Sequence, residues 1–205
     1  MKWGIGLVIA ALLYIPTYSH AGTPLFNPAA PVPGKQTVWV PAGAMTTTTT
    51  AGAPALAAVE TTAGRPDLQV VDFDASSDEH LQFSITFPKN WDESTITFKL
   101  YWTSTATDTD GIAFGLQCNA VSDNVTIDAA FGTAVVVTDD AQSAAEELYI
   151  SAESGAITVG GTPAEGDLTF CDLYRDISDA NDDMAEDARV LGIRILYTTN
   201  ANNDD

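Results

Sequence analysis

Six carboxylates fall within the segment "DISDANDDMAEDA", residues 176–188: Asp176, Asp179, Asp182, Asp183, Glu186 and Asp187. Acids that dense can cage a hard cation, share a proton in a catalytic pair, or stay solvated in a turn. A calcium loop of the helix-loop-helix type needs oxygen ligands at its first, third and fifth positions, glycine at the sixth and a bidentate glutamate at the twelfth. Asp179, Asn181 and Asp183 meet the first three requirements, but Met184 and Val190 stand at the sixth and twelfth, and Val190 falls inside an apolar run. A looser calcium site built from Asp179, Asn181, Asp183 and Asp187 is the one cofactor expectation. A solvated hairpin loop with Met184 tucked inward is the preferred reading, since acid-rich turns are ordinary on so negative a chain.

Other residue types narrow the chemistry. His20 falls in a leader-like segment, so an imidazole-dependent serine or cysteine nucleophile would have to use His80, and a histidine-rich metal site cannot be built within one chain. Asp172 sits in an apolar run on the same side as Phe170 and Tyr174. It either acts as a buried acid or pairs with Arg194 across the final hairpin, and the pair is preferred because buried acids usually have partners. Trp91 in a turn and Tyr101 on an outward strand face are candidates for a sugar-stacking platform or a subunit contact, and Trp39 is a further candidate contact. The glycines at 160–161 precede a proline turn and not a helix, so no phosphate loop is present. These residues suggest no catalytic set, and the chain is read as non-enzymatic. Cys118 and Cys171 are the two cysteines; either they form one disulfide or they are two buried thiols.

The elements that must position these side chains repeat every second residue. Leu81, Phe83, Ile85 and Phe87 point one way and His80, Gln82, Ser84 and Thr86 the other, the signature of a half-buried strand. The same alternation sets Ile96, Phe98, Leu100 and Trp102 inward in "TITFKLYW", and Ile112, Phe114, Leu116 and Cys118 inward in "GIAFGLQCNA". "LTFCDLYR" and "RVLGIRILYTT" close the series, the latter with Leu191, Ile193, Ile195 and Tyr197 on one face. With shorter extended runs at 134–138, 147–151 and 157–159, and only one possible helical turn at Ser143 to Leu148, the pattern predicts an all-β, antiparallel, jelly-roll-like β-sandwich over residues 64–205. The turn between the first two strands predicts a hairpin or a short corner connection.

Residues 1–21 read as a secretory signal: Lys2, an apolar run from Trp3 to Ile15, and a small-x-small site ending at Ala21. Residues 22–63, rich in Pro, Thr and Ala, read as an extended arm with a possible short strand at 37–41. The chain carries 28 Asp and Glu against 8 Lys and Arg, a formal charge of −20, which disfavours nucleic acid as a partner.

Several strings resemble a group of small proteins encoded by tailed bacteriophages near their virion and tail-fibre genes: "VWVPAGAM", "FPKNWDESTITFKLYWT", "DTDGIAFGLQ", "AVSDN", "GTAVVVTDDAQSAAEELY" and "DARVLGIRILYTT". The resemblance spans about residues 38–200. It implies a virion-associated structural or attachment subunit that works by homo-oligomeric assembly, a trimer by analogy with fibre proteins, and it brings no functional residues. The signal and arm that precede "VWVPAGAM" depart from that group. They open a second expectation, an exported carbohydrate-binding, cell-surface or filament β-sandwich. The expected location is thus the virion or the extracellular space after signal cleavage; the expected partners are further copies of the chain, other virion or surface proteins and, on the second expectation, a glycan.

Overall fold

The computed structural model describes residues 34–201. The segment read as a signal and the arm as far as residue 33 lie outside the described residues. The strands are β1 (Lys35–Pro41), β2 (Thr46–Thr47), β3 (Ala57–Glu60), β4 (Asp67–Phe73), β5 (His80–Ile85), β6 (Trp91–Thr103), β7 (Gly111–Val121), β8 (Val135–Asp140), β9 (Tyr149–Ile150), β10 (Leu168–Arg175) and β11 (Ala188–Thr199). Sheet A runs β3-β4-β11-β6-β9, and sheet B runs β2-β5-β10-β7-β8. Strand β6 pairs with β11 from Arg189 to Thr199, whereas β4 takes only residues 188–190 and β1 takes 192–198, so β1 and β4 share the other side of β11.

From β4 the chain alternates between layers: β4 in A, β5 in B, β6 in A, β7 and β8 in B, β9 in A, β10 in B, β11 in A. That traffic gives an antiparallel, jelly-roll-like sandwich. The segment between the first two long strands is therefore a corner between sheets, the second of the two predicted connections. The 176–187 segment also passes from B to A and is not a hairpin loop. The predicted helical turn at 143–148 is absent; the helical segment among the described residues is a 3-10 turn at Ala42–Ala44.

Two-residue alternation fills the space between the layers. Leu81, Phe83, Ile96, Phe98, Leu100, Trp102, Ile112, Phe114, Leu116, Leu173, Ile193 and Ile195 are buried together. In β11 the alternation breaks at a register shift between Val190 and Gly192. The extra residue turns Leu191 away from the core, in contrast to the predicted face, and puts Val190 in with Ile193. Residues 35–60, predicted as arm, are part of the sandwich: Val40, Ala42 and Ala53 are core residues and β1 to β3 each pair with a sheet strand. The predicted strand at 37–41 is thus present and longer. The apolar Val38-Trp39-Val40 run supplies the reason, since Val40 closes over the core while Trp39 faces out.

Cys118 and Cys171 are joined by a disulfide between register partners on β7 and β10, with both residues wholly buried. Of the two readings left open by the sequence, the bridge is the one the structure contains.

Candidate functional site

Strand parity leaves the outward side of sheet B with a row of polar side chains. Register pairs Gln82 with Asp172 and Asp172 with Gln117, and one step along the strands it pairs His80 with Tyr174 and Tyr174 with Gly115. Asp172 is 2% exposed despite facing outward, because its neighbours close over it. His80 Nδ1 lies 2.9 Å from its Oδ2, Gln117 Nε2 donates to the same oxygen at 2.9 Å, and Gln82 Nε2 reaches Oδ1 at 3.4 Å. Three donors on one carboxylate are the pattern of an orienting group, not of a general acid. Each amide that donates to Asp172 turns its own carbonyl oxygen away, and the imidazole bonded through Nδ1 keeps Nε2 for another partner.

Tyr174 stacks on His80 with centroids 5.3 Å apart and lies flat over Gly115, where a Cβ would sit 2.3 Å from the phenol ring. Burial, and then the nearby Asp176, Asp78 and Asp172 carboxylates, push the Tyr174 hydroxyl up from its ordinary value, so it is a neutral donor at physiological pH. Thr47 to Ala51, Phe131, His80, Gln82, Gln117 and Asp172 enclose a depression of about 550 Å³. It continues past Gln82 into a second of about 250 Å³ along Thr46, Ser84 and Phe170, and past Phe170 into a third of about 340 Å³ beside Leu168, Val125 and Ile127. The result is a track across sheet B with polar floor groups and aromatic or aliphatic walls.

The residues singled out in the sequence are placed differently. Asp172 does not meet Arg194, which belongs to sheet A; its partner is His80. Trp91 is 4% exposed and packs on Phe87 at 4.3 Å, so it is a core residue and not a platform with Tyr101. Tyr101 instead meets Trp39 edge to face at 4.9 Å on the outside of sheet A. The track on sheet B was missed because its members lie on strands far apart in sequence. The outward faces of "HLQFSI", "GLQ" and "DLY" held the signal, but only the strand order 5-10-7 brings them together.

The acidic loop also departs from expectation. Arg175 is fully buried and Asp182 nearly so, and the guanidinium holds the carboxylate through Nε at 3.0 Å and Nη2 at 2.7 Å. Asp182 further accepts from Ala113 N, and Asp183 from Gly111 N. Asp179 accepts from Asn181 in a local turn. Of the carboxylates expected around calcium, Asp183 thus accepts from the backbone of β7 and Asp179 from the loop itself, while Asp187 is exposed; among the described residues no three acidic, histidine or cysteine side chains converge as a metal site. Met184 is buried, as predicted.

This end of the sandwich also holds carboxyls that burial pushes above their ordinary values: Asp72, where Arg189 opposes the shift, Glu79, and Asp139, where the Trp102 indole N–H opposes it. A folded value above the unfolded one means that the folded state keeps the proton to higher pH. The associated stabilisation is complete below the ordinary carboxylate range and is lost as pH rises past the raised values. Asp74, held low by its hydrogen bonds from Ser76, and Glu153, held low by Lys35, act in the opposite sense and only at more acidic pH. The melting temperature is expected to rise as pH falls from neutral towards the ordinary carboxylate range, and Asp139→Asn, which keeps the Trp102 acceptor, should flatten part of that rise. A melting temperature that drops steadily over the same window would contradict the assignment.

No protein-family model matches the chain, and no curated protein matches it. Among solved structures it is similar to the CBM36-1 domain of a multidomain xylanase from the hindgut metagenome of Trinervitermes trinervoides, at 10% identity and a TM-score of 0.40 over 79% of this chain and 96% of that one. It is similar also to CBM28, described as a non-crystalline cellulose specific carbohydrate-binding module, at 11% identity and a TM-score of 0.40 over 77% of this chain and 85% of that one. Overlaps this loose leave the ligand to be read from the chain's own residues.

Proposed function

We propose that this protein is a non-enzymatic binding module that holds a neutral oligosaccharide along the track on sheet B. The observation that carries the reading is the Gln82-Asp172-Gln117 row with His80 at its side. By taking one N–H from each amide, the buried Asp172 fixes both side chains with their carbonyl oxygens and second N–H groups turned outward, a mixed set that suits sugar hydroxyls, which both donate and accept. Phe131 and Phe170 add ring surface along the depressions, and Tyr174 backs the His80 imidazole. The charge of −20 favours a neutral chain over an acidic one. The disulfide supports export to an oxidising compartment, in line with the signal read at the N-terminus.

A glycan array followed by calorimetry tests this. Asp172→Ala is expected to weaken binding of a neutral oligosaccharide by about tenfold or more, the worth of one well-placed hydrogen bond. Gly115→Ala, which pushes the Tyr174 ring off its seat, should weaken it with little change in melting temperature. Absence of any binding at millimolar oligosaccharide, or binding indifferent to Asp172→Ala, would overturn the reading.

A second reading, a subunit of a virion or surface assembly, is favoured by a separate observation. Trp39 is 47% exposed and Ile150 46%, and they flank Tyr101 on the outside of sheet A.

A further inference from the structure

The outward face of sheet A differs from the rest of the molecule in both charge and apolarity. Across β1, β11, β6 and β9 it presents two rows: Pro41, Gly192, Tyr101 and Ile150, then Trp39, Arg194 and Lys99. Trp39 rests on Gly192, where a Cβ would come within 2.8 Å of its ring and 2.5 Å of the Val40 carbonyl oxygen. Arg194 bonds to the Tyr101 hydroxyl and its guanidinium lies 5.2 Å from that ring's centroid. Leu148, two residues before Ile150, is 60% exposed. Trp, Tyr and Arg at the centre of an open patch are the residue types that dominate protein interfaces. Lys99, Arg194 and Lys35 meet a single carboxylate here, Glu153, which Lys35 and Thr97 bond, so the patch keeps a net positive charge on a chain whose basic residues number only 8.

The negative charge gathers elsewhere. Loops 74–79, 104–110, 141–148 and 176–187 all emerge at one end of the sandwich, the end marked by Phe73, Thr103, Gly111, Asp140, Arg175 and Ala188. Asp78, Asp108, Glu146, Glu147, Asp183 and Asp187 are exposed there. Asp108 crowds Asp110 enough to push its carboxyl up, which shows an end with unrelieved repulsion.

We infer that the aromatic and cationic face of sheet A docks the carboxylate-rich end of a second copy of this chain. Charge decides against the simpler alternative. A symmetric face-to-face pairing would set Lys99 and Arg194 of both copies against each other, whereas face-to-end pairing sets them against carboxylates. Trp39, Tyr101 and Ile150 supply the desolvated centre. A contact between two different surfaces propagates: it closes into a ring, a trimer among the possibilities, if the rotation permits, and otherwise runs on as a filament. The track on sheet B belongs to the other layer of the sandwich from the docking face.

Sedimentation velocity of the full chain at about 100 μM, in about 0.05 M salt, is expected to show species larger than a dimer that dissociate at about 0.5 M salt. Lys99→Glu, which disables the face, and Asp108→Lys with Glu146→Lys, which disables the end, should each sediment as monomers with unchanged melting temperature. Mixed together, the two variants should form a one-to-one dimer and nothing larger, because only one intact face and one intact end meet. A monomeric wild-type chain at low salt, association insensitive to salt, or unimpaired association of the Asp108→Lys, Glu146→Lys variant would each overturn the inference. None of these results bears on the sheet B track, whose binding is measured separately.

Discussion

Arg175→Ala is expected to lower the folding free energy by about 3–5 kcal/mol, the range for removing one member of a buried ion pair. All five guanidinium hydrogens have acceptors. Nε and one Nη2 hydrogen serve Asp182, the other Nη2 hydrogen serves Met184 O, and Nη1 serves Phe73 O and Glu186 O. Truncation leaves the Asp182 carboxylate buried without its countercharge and takes a donor from three carbonyls, and it unties the point where β4 of sheet A, β10 of sheet B and the loop between β10 and β11 meet. Arg175→Lys should recover little, since a point ammonium cannot span that fork. Arg175→Met combined with Asp182→Asn should be milder than Arg175→Ala, because no bare charge remains. Urea denaturation checks all three; a loss under about 1 kcal/mol for Arg175→Ala would show that the buried pair does not hold the corner.

The contrast between that corner and its reading in the sequence shows what alternation can and cannot reveal. Leu81, Phe98, Leu116 and Ile195 were legible as core because strand parity alone decides which way a side chain points. So was the all-β class. Where a single extra residue enters, as between Val190 and Gly192, the phase reverses without any change in composition, and Leu191 was assigned to the wrong face. Sheet order was not legible at all. Asp172 and Arg194 both sit on late, well-patterned strands, and joining those strands as a hairpin makes them neighbours; the chain instead crosses to the other layer, and Asp172 meets His80 from β5.

The same limit explains the acidic segment. A run of carboxylates with no apolar periodicity reads as solvated, and for Asp187 and Asp183 that is where the residues are, exposed. Asp182 differs from them in nothing local. What buries it is the approach of Arg175 from the end of β10 and of Ala113 N from β7, both set by tertiary packing. Trp91 erred the other way: proline, asparagine and aspartate around it signal a turn, yet the turn folds its ring onto Phe87 at the rim of the core. The β1 to β3 segment was discounted for its prolines, although one apolar run within it was enough to recruit an edge strand.

Reduction of the Cys118–Cys171 bridge, or Cys118→Ala with Cys171→Ala, is expected to cost about 4 kcal/mol and to lower the melting temperature by about 10 °C. The bridged residues are separated by 53 positions, so the cross-link removes a large set of open conformations from the unfolded chain. In the folded state it adds little that register does not already supply, because the two strands are hydrogen-bonded partners at that step. The reduced protein should therefore keep its sheets, with two thiols packed as small apolar groups between Leu116 and Leu173 and their neighbours, and should keep any oligosaccharide binding at low temperature. The loss should appear as a lower denaturation midpoint with both cysteines free. If reduction shifts the midpoint by less than about 1 kcal/mol, the unfolded chain is already compact around this loop and the entropic account fails; if it melts sheet B outright, the bridge determines the pairing of β7 with β10 and does not merely reinforce it.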